Sequence, residues 1–197
     1  AQHHRLVPAG RDMTPGIALV TGAGARLGRA MALALGEDGW KVAVHYHSSS
    51  DGADETCEMI RKAGGIAEAI QADLSDEETR GDLVARAAKA LGGPVCLLIN
   101  SASTFHDDTA LTHSREDWDA HMEPNLRAPI HLAQQLASDL PDGQKGLVIN
   151  MIDQRVWKLN PVFFTYTLSK AALWQATQTL AQALAPDVRV NGIGPGP

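Results

Sequence analysis

Six short apolar runs alternate along this chain with segments of helical period, and that alternation leaves few folds open. The strand-like runs are Ile17 to Thr21, Val42 to His47, Ile66 to Gln71, Val95 to Asn100, Leu147 to Met151 and Val188 to Ile193. Between them the spacing of apolar residues predicts helices roughly over Leu27 to Asp38, Asp51 to Ala63, Asp76 to Leu91, Ser114 to Leu140 and Thr165 to Leu184. Pro124 and Pro129 are candidate breaks in the fourth. A strand that returns through a helix pairs in parallel by a right-handed crossover. The expectation is therefore an α/β fold, a doubly wound parallel sheet of Rossmann type in three α/β/α layers. IALV and VCLLIN are apolar throughout rather than alternating, as strands covered on both faces are.

A chain of 197 residues supports one substantial core rather than two domains. Ala1 to Asp12 has no periodicity and reads as a disordered or tag-derived extension, with Met13 as the native start and 13–197 as the catalytic domain. At the other end NGIGPGP stops at a turn straight after a strand, so the sheet reads as unfinished and its C-terminal part as missing. The net charge of -6 disfavours nucleic acid or an anionic membrane as partner. No run approaches the roughly 20 apolar residues of a membrane span. Cys57 and Cys96 read as free thiols of a reducing compartment, so a cytoplasmic location is expected.

In a doubly wound sheet, ligands bind beyond the carboxyl ends of the strands, where the strand order reverses. TGAGARLG, His47-Ser48, Asp73, Asn100-Ser101-Ala102, Asp153 and Pro195-Gly196 all fall on that edge. Gly22 and Gly24 allow a sharp turn and close approach to a pyrophosphate, and Gly28 allows close packing of the helix that Arg26 and Leu27 open. Arg26 stands where a third loop glycine is common. After the second strand HYHSS carries no acid to accept from a ribose hydroxyl. His47, Ser48 and Ser49 can instead donate to a 2′-phosphate, with Arg26 adding charge, which favours NADP(H); a polar loop ahead of a helix gives the same pattern. Asp73, followed by Leu74, either accepts from an adenine amino group or caps the next helix.

The second constellation is Tyr166 and Lys170, one helical turn apart in YTLSK, with Asp153 thirteen residues before the tyrosine. Hydride addition leaves negative charge on the partner atom, so a proton donor must stand within reach. An ammonium about 4 Å from a phenol contributes about 4 kcal/mol at a dielectric near 20, enough to lower a phenolic pKa near 10 by up to about three units. Lys170 is thereby expected to make Tyr166 a competent acid. Asp153 also suits a local turn; as a carboxyl it can itself carry a proton to a ring nitrogen. Phe105, Trp157 and Phe163-Phe164 either line a pocket or pack in the core, and His106-Asp107-Asp108 reads as solvated polar surface rather than a metal site.

The order TGAGARLG, DL, NSAS, Asn125, Asp153, YTLSK and NGIGPG resembles the short-chain dehydrogenase/reductase superfamily over almost all of Thr14 to Pro197. Arg26 in the loop, HYHSS, SASTF at Ser101 to Phe105 and Asp153 in place of the usual serine look most like its pteridine reductase branch. Ser48 stands where that branch typically has an arginine, and Ser101 where many relatives have a second asparagine. The resemblance implies that Tyr166 is the proton donor and that Lys170 is its electrostatic partner and a ligand of the nicotinamide ribose. Asp153 would assist proton delivery, and Asn125 would anchor a water or backbone relay near Lys170. Asn100, Ser101, Ala102, Pro195 and Gly196 would border the cofactor. Phe105 would stack a flat heterocycle against the nicotinamide, and Ser103 and Arg26 would touch its polar edge or the cofactor phosphates.

The leading expectation is an NADPH-dependent reductase of a C=N bond in a pterin-like small molecule. Reduction of a carbonyl in a sugar or a 3-oxoacyl thioester, and NADP(H) sensing without turnover, are the alternatives. Small and apolar side chains in excess on the helices around Ser114 to Leu140 and Thr165 to Leu184 point to a homo-oligomer, and the resemblance implies a homodimer or homotetramer.

Overall fold

The computed structural model describes residues 13–196; Ala1 to Asp12, expected to be an extension, and Pro197 lie outside the described residues. Strands β1 (Ile17–Val20), β2 (Lys41–Tyr46), β3 (Ile66–Gln71), β4 (Val95–Asn100), β5 (Gly146–Met151) and β6 (Val188–Ile193) form one parallel sheet in the order β3-β2-β1-β4-β5-β6. At the centre Val20 pairs with Val44 of β2 and Ile99 of β4. The chain winds outward from β1 in both directions, so the loops leaving β1 and β4 part at their carboxyl ends and open a crevice.

Alternate residues of a strand face opposite sides, and both sides are covered here. Ala18 and Val20 of β1 pack with Val42, Val44 and residues of α1 (Arg26–Glu37) and α2 (Ser50–Lys62), among them Ala32, Ala53 and Ile60. Leu19 faces the other layer, where Leu83, Leu132 and Leu136 of α4 (Leu83–Leu91) and α6 (Ala128–Asp139) are fully buried. Each such side chain contributes about 1.5–3 kcal/mol by leaving water. At the sheet edge β3 buries Ala67 and Ile70 while Ile66, at its start, is exposed.

Two expected helices differ from the structure. Asp76 to Leu91 is not one helix but α3 (Glu77–Arg80) and α4, parted at Gly81 and Asp82; glycine is the weakest helix former short of proline. Asp76 caps α3 by accepting from the amides of Glu78 and Thr79. Ser114 to Leu140 is continuous through Pro124, with α5 (Arg115–Met122) passing into a π-helical turn at Glu123–Arg127 and then into α6. A proline lacks the donor of its turn, and a widened turn absorbs it without ending the helix.

The last helix, α7 (Phe164–Ala183), is held at its start by a residue far away in sequence. The carboxylate of Asp108 accepts from the Thr165 amide at 3.1 Å and from the Thr165 hydroxyl, and its carbonyl accepts from the Phe163 amide at 2.9 Å. Asp108 is thus a buried cap and not the solvated surface expected of His106-Asp107-Asp108. The ring of His121 meets the same hydroxyl through Nδ1 at 2.7 Å, and His106 stacks on His121 and pairs with Asp117 at 3.0 Å. The effect is to fix Tyr166, one residue further on, against the loop after β4.

Candidate active site

The turn after β1 sets one wall. Gly22 takes φ +64°, and a Cβ there would lie 2.9 Å from the Ala102 backbone; one on Gly28 would lie 2.2 Å from the Gly22 carbonyl oxygen. Only glycine fits either position. Arg26 adopts φ +49° as a non-glycine residue, which accounts for the glycine that sequences of this pattern tend to carry there and costs about 1 kcal/mol. Gly24 serves differently from expectation: it faces the backbone of Gly52 and Ala53 and lets α2 approach, and it does not line the crevice.

His45 anchors this turn from beneath. Its Nδ1 accepts from the Gly22 amide at 3.1 Å while Nε2 meets the Ala72 carbonyl at 3.1 Å. Burial pushes its pKa down to about 4, so the ring is neutral and Nε2 carries the proton. Within HYHSS, His45 gives no sign of this apart from an inward position in the strand alternation. Thr21 is a second anchor, its hydroxyl accepting from the amides of Ser101 and Ala102 at 3.0 Å each.

A cleft of about 650 Å³ opens at the reversal point. Gly22, Arg26, Leu27 and Gly28 line it from the turn, and Ser101, Ala102, Ser103 and Phe105 from the loop after β4. Asp153, Tyr166 and Lys170 form its floor, with Pro195 and Gly196 at the end of β6. His47, Ser48 and Ser49 are exposed beyond the lining, where His47 lies 3.5 Å from Asp73. Asp73 does not cap α3, which Asp76 does; it accepts from the Ser75 amide at 2.8 Å. Leu74 is buried, and its carbonyl accepts from Arg80.

Two expected site residues have side chains engaged within the fold. Asn100 is buried and donates to Asn150 at 2.8 Å, which in turn donates to Thr177 at 2.9 Å, tying β4, β5 and α7 together. Asn125, in the π-helical turn, has its side chain saturated. It accepts from the Thr104 amide and donates to the Thr104 carbonyl at 2.9 Å each, and donates to Ser169 at 3.3 Å. Its side chain therefore positions the SASTF loop and α7.

Among the three floor residues, Tyr166 donates from its hydroxyl to Asp153 Oδ2 at 2.9 Å. Asp153 Oδ1 accepts from the Arg155 amide at 2.8 Å, so the same carboxyl caps the short 3₁₀ turn Gln154–Val156 and faces the cleft. Lys170 is buried; its ammonium donates to the Met151 carbonyl at 2.9 Å and lies 5.8 Å from the Tyr166 ring centroid. Burial pulls the lysine down to about 8, partly opposed by Asp153. Tyr166 is pushed up from its ordinary value, first by burial and then by the Asp153 carboxylate. The lowering expected from Lys170 is not found; the opposing influences are a hydrogen bond with Ser103 and the charge of Arg155, and both are outweighed. The carboxylate is hydrogen bonded to the phenol, whereas the ammonium is engaged with a carbonyl.

Phe105, half exposed, stacks on Phe163 with centroids 4.3 Å apart and meets the edge of Tyr166 at 4.7 Å. Phe163 holds a left-handed φ of +62° to do so. Of the other aromatic candidates, Phe164 packs near His113 and Trp157 against Trp174, outside the cleft lining.

The sequence matches the short chain dehydrogenase family over residues 16–197. It is 34% identical over 190 residues to glucose 1-dehydrogenase 2 of Bacillus subtilis strain 168, covering 94% of this chain and 73% of that protein. Identity to a 3-oxoacyl-acyl-carrier-protein reductase, FabG, of Staphylococcus epidermidis is 31%, over 91% of this chain and 73% of that one. Among solved structures, FolM alternative dihydrofolate reductase 1 from Brucella canis, complexed with NADP, superposes with a TM-score of 0.88 at 47% identity, covering 91% of this chain and 71% of that one. The family match over most of the chain and the identity to these relatives show that the chain belongs to the short-chain dehydrogenase family of oxidoreductases.

Proposed function

We propose that this protein is an NADP(H)-dependent reductase that adds hydride and a proton across a C=N bond of a pterin-like heterocycle. The cofactor cradle is supported by the two positions where a Cβ would collide, at Gly22 and Gly28, beside the open N-terminus of α1. Gly22, Arg26, Leu27 and Gly28 would hold the pyrophosphate, with Ser101, Ala102, Pro195 and Gly196 along the nicotinamide half. His47, Ser48 and Ser49 would meet the adenosine phosphate, and Asp73 the adenine. The cofactor is NADP(H), which supplies the hydride when bound.

The observation that carries the substrate reading is the 2.9 Å bond between Tyr166 and Asp153 in the cleft. A serine at that place can only pass a proton along, whereas a carboxyl can store one. Tyr166 holds its proton firmly, as its raised pKa requires; when it passes that proton to the ring nitrogen, the Asp153 carboxylate, after taking up a proton from solvent, returns one to the phenolate along the same hydrogen bond. Lys170 fixes the β5 end through Met151 and keeps positive charge under the phenol. Phe105 offers a flat face for the ring, and Ser103 and Arg26 its polar neighbours. The higher identity to the Brucella alternative dihydrofolate reductase than to the sugar and acyl reductases favours the same reading.

The test is NADPH oxidation with dihydropterin and dihydrofolate against a panel of ketones. Turnover of the pterins, lost in Tyr166→Phe with NADPH affinity kept, is the expected outcome. Turnover of ketones alone would favour the carbonyl reductase alternative, and binding without turnover the sensing one. A homo-oligomer through α5 to α7, where Trp118 and Leu168 are partly exposed, belongs to the proposal and is checked by light scattering.

A further inference from the structure

Among the described residues, the charged side chains that line the cleft are Arg26, Asp153, Arg155 and Lys170. Lys170 is engaged with the Met151 carbonyl and Arg26 belongs to the glycine turn. Arg155 has no such task. It lies two residues beyond Asp153, 4.9 Å from the centroid of Phe163 and 5.3 Å from that of Phe105. Its Nε is buried without a partner, and its Nη1 stands 3.5 Å from Asp153 Oδ1. That separation is long for a charge-assisted bond, which closes to about 2.7–2.9 Å, and Oδ1 is already bonded to the Arg155 amide.

A guanidinium is a donor only and stays charged at any working pH. Held beside two phenyl rings, with the strained Phe163 as one of its walls, this one is preorganised and under-bonded. Tyr166 bonds Asp153 Oδ2 at 2.9 Å and Arg155 Nη1 stands 3.5 Å from Oδ1, so both donors lie next to the same carboxylate. A planar ligand with two adjacent acceptors would engage both.

We propose that Arg155 is a specificity-determining residue, donating to an oxygen that flanks the reducible bond of a planar substrate while Tyr166 serves the reacting atom. The inference rests on the reductase reading of the cleft and narrows its substrate class to rings whose C=N or C=O has a second oxygen in the peri position. The oxo group next to the reducible ring nitrogen of a dihydropterin is one source of this pattern; an aromatic ketone with a peri hydroxyl is another.

The experiment compares equilibrium binding to the NADP⁺-saturated protein of dihydropterin and of the dihydropteridine in which an amino group replaces the ring oxygen. In the parent protein the oxo ligand is expected to bind about 10- to 100-fold more tightly, the range of one hydrogen bond to a charged group. Arg155→Met should abolish that preference and leave NADPH affinity unchanged, and Arg155→Lys should restore part of it. Equal weakening of both ligands in Arg155→Met, or no change in either, overturns the proposal. If neither pteridine binds the parent protein, the pterin reading falls. The same variants are then compared on tetralone with and without a peri hydroxyl, where unchanged or absent discrimination overturns the role of Arg155 as well.

Discussion

Acid should loosen the cofactor turn through His45 before it unfolds the rest of the sheet. The ring is buried, bonded on both nitrogens and depressed to about 4 against about 6.5 in the unfolded chain. Between those values the unfolded state binds more protons than the folded state, so stability rises with pH through the window and is lost as pH falls from about 6.5 towards 4. For the single site the loss is about 1 kcal/mol by pH 6, about 2 by pH 5 and about 3 by pH 4. Against a total of roughly 5–15 kcal/mol that is a large share. Protonation also removes the acceptor of the Gly22 amide, so NADPH affinity should fall over the same range. Urea unfolding at pH 7, 6, 5 and 4, run in parallel on His45→Asn, isolates the term, because the variant keeps polar groups but lacks the titration. A steeper acid loss in the parent by about 3 kcal/mol is expected. Superimposable pH dependences would refute the reasoning, whatever the difference in absolute stability.

Gly28→Ala should weaken NADPH binding at least about tenfold and cost about 1–3 kcal/mol, since its Cβ would meet the Gly22 carbonyl at 2.2 Å and neither backbone can move freely; fluorescence titration and thermal unfolding measure both. Asp108→Ala should lower stability by about 1–3 kcal/mol by leaving the start of α7 uncapped, and the same urea titration checks it. Asn125→Ala orphans the Thr104 amide and carbonyl together. A loss of about 2–3 kcal/mol, with a fall in kcat as the SASTF loop slackens, is the expected result.

The sheet was legible because IALV and VCLLIN are buried on both faces and so carry an uninterrupted apolar signal. The glycine turn, Asp153, Tyr166, Lys170 and Phe105 were legible from motif and spacing, and the structure brings all of them to one cleft. What local pattern could not supply are contacts made across the fold. Asp108 caps a helix 57 residues away, and Asn100 and Asn125 bond buried partners distant in sequence. His45 is hidden in a polar string, and Arg155 gains its meaning only beside Phe163 and Phe105. The balance at Tyr166 likewise depends on burial and on which neighbour bonds its hydroxyl, neither of which helical spacing determines.

The central claim is that Asp153 and Tyr166 together deliver a proton to a ring nitrogen. Measuring kcat of Asp153→Ser with dihydropterin and with a simple ketone tests it most directly. A loss of about 100-fold on the pterin is expected, the usual order for removing a positioned proton donor, with any ketone turnover kept. Pterin turnover that survives the substitution undiminished would contradict it.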